Sequence, residues 1–237
     1  SIGGPLRQNT LWFYGSFRHW GQYEHPPGGY YDTHQNPRAF TPDLSRPSVY
    51  ELTNKSEDLR LTWQASAKHK FSLSADVVQR CQCHFTLTPT NTPDASKILI
   101  TEPNGLFQTT WTAPLTQKLL LEAGFTAHPE SFSGWTQPDV KYGTIPLTEQ
   151  STGINFASGT GAQTRSYQNN MKATVSYVTG SHAFKVGFQD MMGVLRQSAW
   201  NIGPPVSYRL NLGVPNQLTE YVFPYNTKAK MTSYLGL

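Results

Sequence analysis

Three segments of this chain repeat one design: an alternating apolar and polar run, a short polar turn, and a second alternating run. In residues 59–77, Leu59, Leu61, Trp63 and Ala65 alternate with Arg60, Thr62 and Gln64. After the turn, Phe71, Leu73, Ala75 and Val77 alternate with Ser72, Ser74 and Asp76. Residues 107–125 repeat the arrangement with Phe107, Thr109, Trp111 and Ala113, then Leu119, Leu121, Ala123 and Phe125. Residues 167–188 repeat it with Met171, Ala173, Val175 and Tyr177, then Phe184, Val186 and Phe188. A period of two marks strands with one apolar and one polar face. A slip of one residue would turn every side chain over, so the pattern also constrains register.

The connections narrow the fold class further. Turns within the hairpins are tight, at 66–70, 114–117 and 179–182, whereas the segments between hairpins are long, at about 25–56, 81–104, 128–164 and 191–227. Loops longer than about 12–15 residues are uncommon in compact domains. Here they recur regularly, always at the end opposite the tight turns, which is the signature of a bacterial outer-membrane barrel. The runs 57–66 and 70–79 match the roughly 9–11 residues that a tilted strand needs to cross a bilayer. With residues 10–21 as the first strand and 229–237 as the last, eight spanning strands are expected. Loop 191–227 should hold a small hairpin of its own, "VSYRLNL" and "LTEYVF", bent at 213–217. The expected fold is all-β: an antiparallel up-and-down transmembrane β-barrel segment, about eight strands of a larger barrel.

Trp63, Trp111 and Tyr177 each fall about three residues before the middle of their turn. The return strand restarts seven or eight positions later, at Phe71, Leu119 and Phe184. Trp and Tyr, with an apolar body and a polar tip, suit the headgroup layer, so these three are expected to form a periplasmic-side aromatic belt. Arg60, Gln64, Asp76, Glu122, Gln168, Asn170, Lys172 and Lys185 fall on the polar face and would point into the lumen. A charge on the lipid side would cost about 2–4 kcal/mol at mid-bilayer.

Composition agrees with many short strands joined by polar loops. Hydrophobic residues make up 37%, mean hydropathy is -0.48, and charged residues are 14%, against a globular average of about 25%. A net charge of +4 without a strong cluster excludes nucleic acid as the expected partner. No run of 18 apolar residues exists, so no transmembrane helix is expected. The chain begins "SIGGPL" without an initiator Met and ends "AKMTSYLGL" without a terminating turn, as a fragment of a longer precursor would.

The opening stretch, "GGPLRQNTLWFYGSFRHW", resembles the segment that opens the barrel of TonB-dependent outer-membrane receptors, just after their N-terminal plug. "RLTWQASAKHKFSLSAD", "SHAFKVGFQ" and "VSYRLNLGVPNQLT" look like barrel segments of the Oar-like branch, whose members carry a carboxypeptidase-regulatory-like domain before the plug. The resemblance covers essentially the whole chain; it is specific at residues 3–12 and fades in the long loops. It implies that residues 1–237 are a partial receptor barrel, lacking the plug and the remaining strands of a 22-strand structure. It further implies a bacterial outer-membrane location and uptake of a scarce nutrient of the siderophore, cobalamin or oligosaccharide class. The implied partners are outer-membrane lipid, that small-molecule nutrient and, through the missing plug, the TonB complex.

Chemistry-bearing motifs are sparse. "RCQCH" (residues 80–84) offers two thiols and an imidazole, but a structural zinc site wants four ligands and no second cluster exists. The alternatives are a disulfide between Cys81 and Cys83 or unpaired thiols. Of seven histidines, His69 and His182 lie in tight turns, where solvent exposure is the default. There is no G-x-S-x-G elbow, "SGTGAQ" (158–163) opens no helix, and no carboxylate pair stands out. No catalytic constellation, metal site or cofactor is expected. Loop aromatics are the candidate ligand contacts: Tyr30 and Tyr31 after "PPGG", Trp135 in "SGWTQPD" and Trp200 in "SAWNIGPP". The same residues would equally serve to pack loop on loop.

A rival reading is a soluble secreted β-sandwich binding module, for example carbohydrate-binding. The two differ at Leu61, Val77, Leu121 and Val186. A barrel piece leaves these on an uncovered face, whereas a sandwich buries them between two sheets.

Overall fold

The three hairpins pair side by side in a single sheet. The computed structural model of the chain describes residues 1–33, 35, 36 and 38–236. Along it come β1 (Ile2–Arg7), β2 (Leu11–Glu24), β3 (Tyr30–Asp32), β4 (Pro42–Pro47) and β5 (Tyr50–Gln64). Next are β6 (Lys70–Phe85), β7 (Lys97–Pro114), β8 (Leu119–Thr136), β9 (Leu147–Glu149) and β10 (Ile154–Ala157). The last five are β11 (Thr160–Thr179), β12 (His182–Asn201), β13 (Val206–Asn211), β14 (Val214–Glu220) and β15 (Tyr225–Gly236). Nine of these form the wall, in the order β1-β2-β5-β6-β7-β8-β11-β12-β15. Every neighbouring pair is antiparallel, so the wall is an up-and-down meander.

Register carries the apolar face from strand to strand, because directly opposed residues share a face. Leu61 faces Leu73, Leu73 faces Thr109, Thr109 faces Phe125, and Phe125 faces Met171. This face is uncovered. Val186 is 73% exposed, while Leu61, Val77 and Leu121 are half-buried within their own sheet. None of the four lies between two sheets, so the geometry is not that of a sandwich.

The tight turns join the wall strands at one end and the long connections leave from the other. Wall strands are longer than the sequence pattern indicated: β5 and β6 have 15 and 16 residues, β11 and β12 have 20 each. At about 3.3 Å per residue, 20 residues extend roughly 65 Å, well past a bilayer even when tilted.

Three details refine the sequence reading. The wall has nine strands, because Gly3, Gly4 and Pro5 pair with Tyr14, Phe13 and Trp12. The sequence count begins at residue 10 and leaves these residues out; Pro5 is tolerated in an edge strand, where a missing N–H costs no ladder bond. The return strand β8 does begin at Leu119, but Trp111 pairs further along it, with Ala123. Trp63 and Tyr177, by contrast, do face Phe71 and Phe184, so Trp111 sits deeper relative to its turn than the other two. Finally, the β13–β14 hairpin bends at Leu212 and Gly213, not across 213–217. Both have positive φ, 51° and 76°, and Asn211 faces Val214. That is a two-residue type I′ turn, which matches the twist of its strands.

The apolar core lies outside the wall. Among the described residues the buried apolar side chains are Leu87, Ala95, Phe156, Leu210 and, on the wall, Ala113. The first four come from the long connections. Those connections build a cap from two small sheets, β3-β4 and β10-β9-β13-β14, with β9 parallel to β13.

Candidate functional site

Glu149, at the end of β9, joins the segments of the cap. Its carboxylate accepts the backbone N–H groups of Leu212 and Gly213, both at 3.0 Å, and the N–H and hydroxyl of Ser151 at 3.0 and 2.7 Å. The Ser151 hydroxyl and N–H, then the Gly213 N–H, lower the carboxyl from 4.5 to about 2. The anion thus serves the N–H groups that the type I′ turn leaves free. Beneath it, Gln150 N–H donates to Leu210 O at 2.8 Å and Tyr208 N–H to Pro146 O at 3.0 Å. Ser151 is a local partner, but nothing in the local sequence signals the link to the hairpin tip, whose residues lie 63 and 64 positions away.

A cavity of about 400 Å³ opens within the cap. Asp32, Asp94 and Asp139 line it together with Lys141, Val140 and Phe156. The β3–β4 hairpin, β10 and the connections 86–96 and 137–159 bring these carboxylates together from distant positions.

The four candidate aromatics fall into two groups. Tyr30 and Tyr31 lie on β3 within the first long connection, and both are half-buried. The Arg46 guanidinium sits 4.6 Å above the Tyr31 ring centre, and His84 meets the ring edge-on at 6.4 Å. Burial pushes the Tyr31 phenol above its usual value, against the opposing effect of Arg46. Trp135 and Trp200 stand on wall strands β8 and β12, not in loops, because those strands outrun the boundaries read from sequence. Their ring centres are 5.1 Å apart at 56°. A gap in the strand between them makes this contact possible. Gly161 of β11 faces Trp200, and one step beyond the last β8–β11 pair it falls level with Trp135. A Cβ at Gly161 would run into the Trp200 indole. Tyr31 and Trp200 are therefore packed against protein partners.

At the tight-turn end, Trp63 stacks on Phe71 at 5.5 Å and is 46% exposed. Trp111 donates its indole N–H to His69 Nδ1 at 3.2 Å, so His69 is half-buried, contrary to the default exposure of a turn residue. Tyr177 is exposed beside Phe184. Lys68 reaches Leu115 O at 2.5 Å, and Val178 N–H donates to Lys118 O at 2.8 Å, linking neighbouring turns sideways.

The polar face carries the charges expected of it. Lys185 lies 3.6 Å from Glu122, which also accepts from the Thr174 hydroxyl at 3.1 Å. A carboxylate pair not apparent in the sequence forms here: Asp58 stands opposite Asp76, and Ser16 donates to Asp58 at 2.5 Å. Cys81 and Cys83, with Cα atoms 5.5 Å apart, are joined as a disulfide, so neither thiolate is available to a metal.

This wall and cap have a solved counterpart. Over 99% of its length the chain matches the crystal structure of the outer membrane transporter YddB from Escherichia coli, with a TM-score of 0.54 and 14% sequence identity. The chain has the fold of an up-and-down β-barrel segment. The barrel segment spans 30% of the length of YddB. No family model matches the sequence, and no curated protein matches it either.

Proposed function

We propose that this barrel segment belongs to a TonB-coupled receptor of the bacterial outer membrane. Such a receptor takes up a scarce nutrient of the siderophore, cobalamin or oligosaccharide class and carries out transport, not catalysis. The observation behind the reading is the division of the molecule into a nine-stranded wall with an uncovered apolar face and a folded cap at its long-loop end. The apolar face meets lipid, with Trp63, Trp111 and Tyr177 at the periplasmic headgroup layer. The polar face, with Asp58, Asp76, Glu122, Lys172 and Lys185, lines the lumen against the plug. The cap cavity, lined by three carboxylates and by Val140, Leu147 and Phe156, receives the incoming nutrient.

The test is growth of cells with and without the full-length protein, each limited in turn for iron, cobalamin or a single oligosaccharide. The proposal expects one limitation to expose the deletion, and inactivation of TonB to reproduce it. Unchanged growth under all three limitations removes the nutrient reading. Uptake that persists without TonB makes the barrel a passive pore.

A further inference from the structure

The disulfide of β6 is poorly placed to act as a staple. Cys81 and Cys83 are two positions apart, and so small a ring restrains the unfolded chain far less than a long loop does. Cys81 is already held on both sides by the ladder, opposite Thr53 of β5 and Ile100 of β7. What the bond changes is the strand itself. The two Cα atoms are 5.5 Å apart, whereas two steps of an extended strand cover about 6.6 Å. The contraction coincides with a bulge. Gln82 faces Leu99 and Phe85 faces Lys97, so Cys83 and His84 together oppose Ile98.

Three segments of the cap meet on those two residues. Cys83 O accepts from Gln137 Nε2 at 2.8 Å, and the same amide nitrogen donates to the Ser96 hydroxyl at 3.1 Å. Gln137 and Ser96 are both buried. His84 O accepts the Leu87 N–H at 3.1 Å, and the His84 ring meets Tyr31 edge-on at 6.4 Å. The β3–β4 hairpin and the connections 86–96 and 137–159 are thus all anchored at the disulfide or at the residue beside it.

The bond is also within reach. Alternate residues of a strand share a face, so both cysteines continue the uncovered face of Phe71, Leu73, Ala75 and Val77, and both are half-buried. They follow Phe71 by ten and twelve residues. On a strand tilted by about 35–45° they stand roughly 25–30 Å above it, at the upper rim of an apolar band about 25 Å tall.

We propose that Cys81–Cys83 is a redox-active disulfide that small thiols reduce from the mouth of the barrel, and that its reduction loosens the cap. The thiolate of one reductant molecule attacks a cysteine sulfur. The S–S bond breaks, and its electron pair leaves on the other cysteine sulfur, which takes up a proton. A second thiolate attacks the mixed disulfide and frees the first cysteine, which is protonated in turn. Two thiols are oxidised to one disulfide, and the chain gains two electrons and two protons. β6 then regains the length of a regular strand, the bulge at Cys83 and His84 straightens, and Gln137 loses its acceptor. The inference is independent of what the barrel carries.

The experiment places the full-length protein in phosphatidylcholine nanodiscs and titrates it with glutathione. Alkylation and peptide mass read Cys81 and Cys83, and hydrogen exchange reads the cap. Millimolar glutathione should reduce the bond, since structural disulfides withstand that couple and labile ones do not. Exchange at Ser96 and Val140, whose N–H groups are held by Thr92 O and Gln137 O, should then rise about tenfold, as expected for the loss of one hydrogen bond. The ladder around Trp63 and Phe71 should not change. Q137L should exchange fast at both positions before reduction and no faster after it. C81S/C83S should match the reduced wild type, and if that variant fails to fold, the reduced wild type itself supplies the measurement. A bond that millimolar glutathione leaves intact overturns the proposal, and so does reduction with no change at Ser96 and Val140. A rise on reduction that persists undiminished in Q137L overturns the route through Gln137.

Discussion

Glu149 and Gly213 are 64 residues apart in sequence and 3.0 Å apart in the cap, carboxylate to backbone N–H. The contact fastens the tip of the β13–β14 hairpin to the end of β9, and it depends on ionisation. The folded-state value of Glu149 is depressed to about 2 from 4.5. Its contribution is therefore fully present above pH 4.5 and is lost as pH falls through about 2. Hydrogen-exchange protection at Leu212 and Gly213 should decline across that window in the wild type. In E149Q it should already be low at pH 7 and change little on acidification. Equal protection in both proteins at pH 7 would show that the backbone ladder alone holds the tip.

Gly161 is the position where the wall tolerates no side chain. G161A forces the Trp200 indole off its place and should cost about 1–3 kcal/mol, as overpacking does. The near-ultraviolet circular dichroism of the Trp135 and Trp200 pair should change with it. W200A in the same background should recover most of the loss, so that the two substitutions are non-additive. Strict additivity would mean that the glycine serves the backbone and not the indole.

Ala173 and Thr174 are neighbours on opposite faces of β11, Ala173 facing Phe188 and Thr174 facing Gly187. A173R should destabilise the full-length protein folded in phosphatidylcholine vesicles by about 2–4 kcal/mol, as a charge on the lipid face near mid-bilayer does. T174R, on the lumen face beside Glu122, should cost less than about 1 kcal/mol. Urea titration of each variant gives the comparison, and equal costs would refute the assignment of the two faces.

The wall was largely legible from the chain because each of its decisions is local. Alternation assigns faces, tight turns assign pairs, and Trp63 with Phe71 or Tyr177 with Phe184 follows directly. The deeper place of Trp111 escaped because β7 runs three residues past it to Pro114, whereas β5 ends one residue after Trp63 and β11 two after Tyr177, and alternation alone does not show where pairing stops. β1 escaped because Gly3, Gly4 and Pro5 have no strand propensity of their own and depend on β2 for pairing. The cap was hardly legible at all. Leu87, Phe156 and Leu210 are isolated apolar residues in polar stretches, and they form a core only when distant connections meet. The parallel pairing of β9 with β13 and the meeting of Asp32, Asp94 and Asp139 are likewise products of tertiary structure with no periodic signature. Trp135 and Trp200 were singled out in the sequence, but their partnership depends on a glycine in a third strand.

The connections of the cap are fastened in series. Thr92 N–H donates to Asn155 O at 2.9 Å and Asn155 N–H to Thr90 O at 2.8 Å, which joins segment 86–96 to segment 137–159. β9 and Glu149 then join the latter to the β13–β14 hairpin. Three stretches that would otherwise wave independently at the barrel mouth are thus one mechanical linkage. A pull on any one of them is therefore shared with the other two.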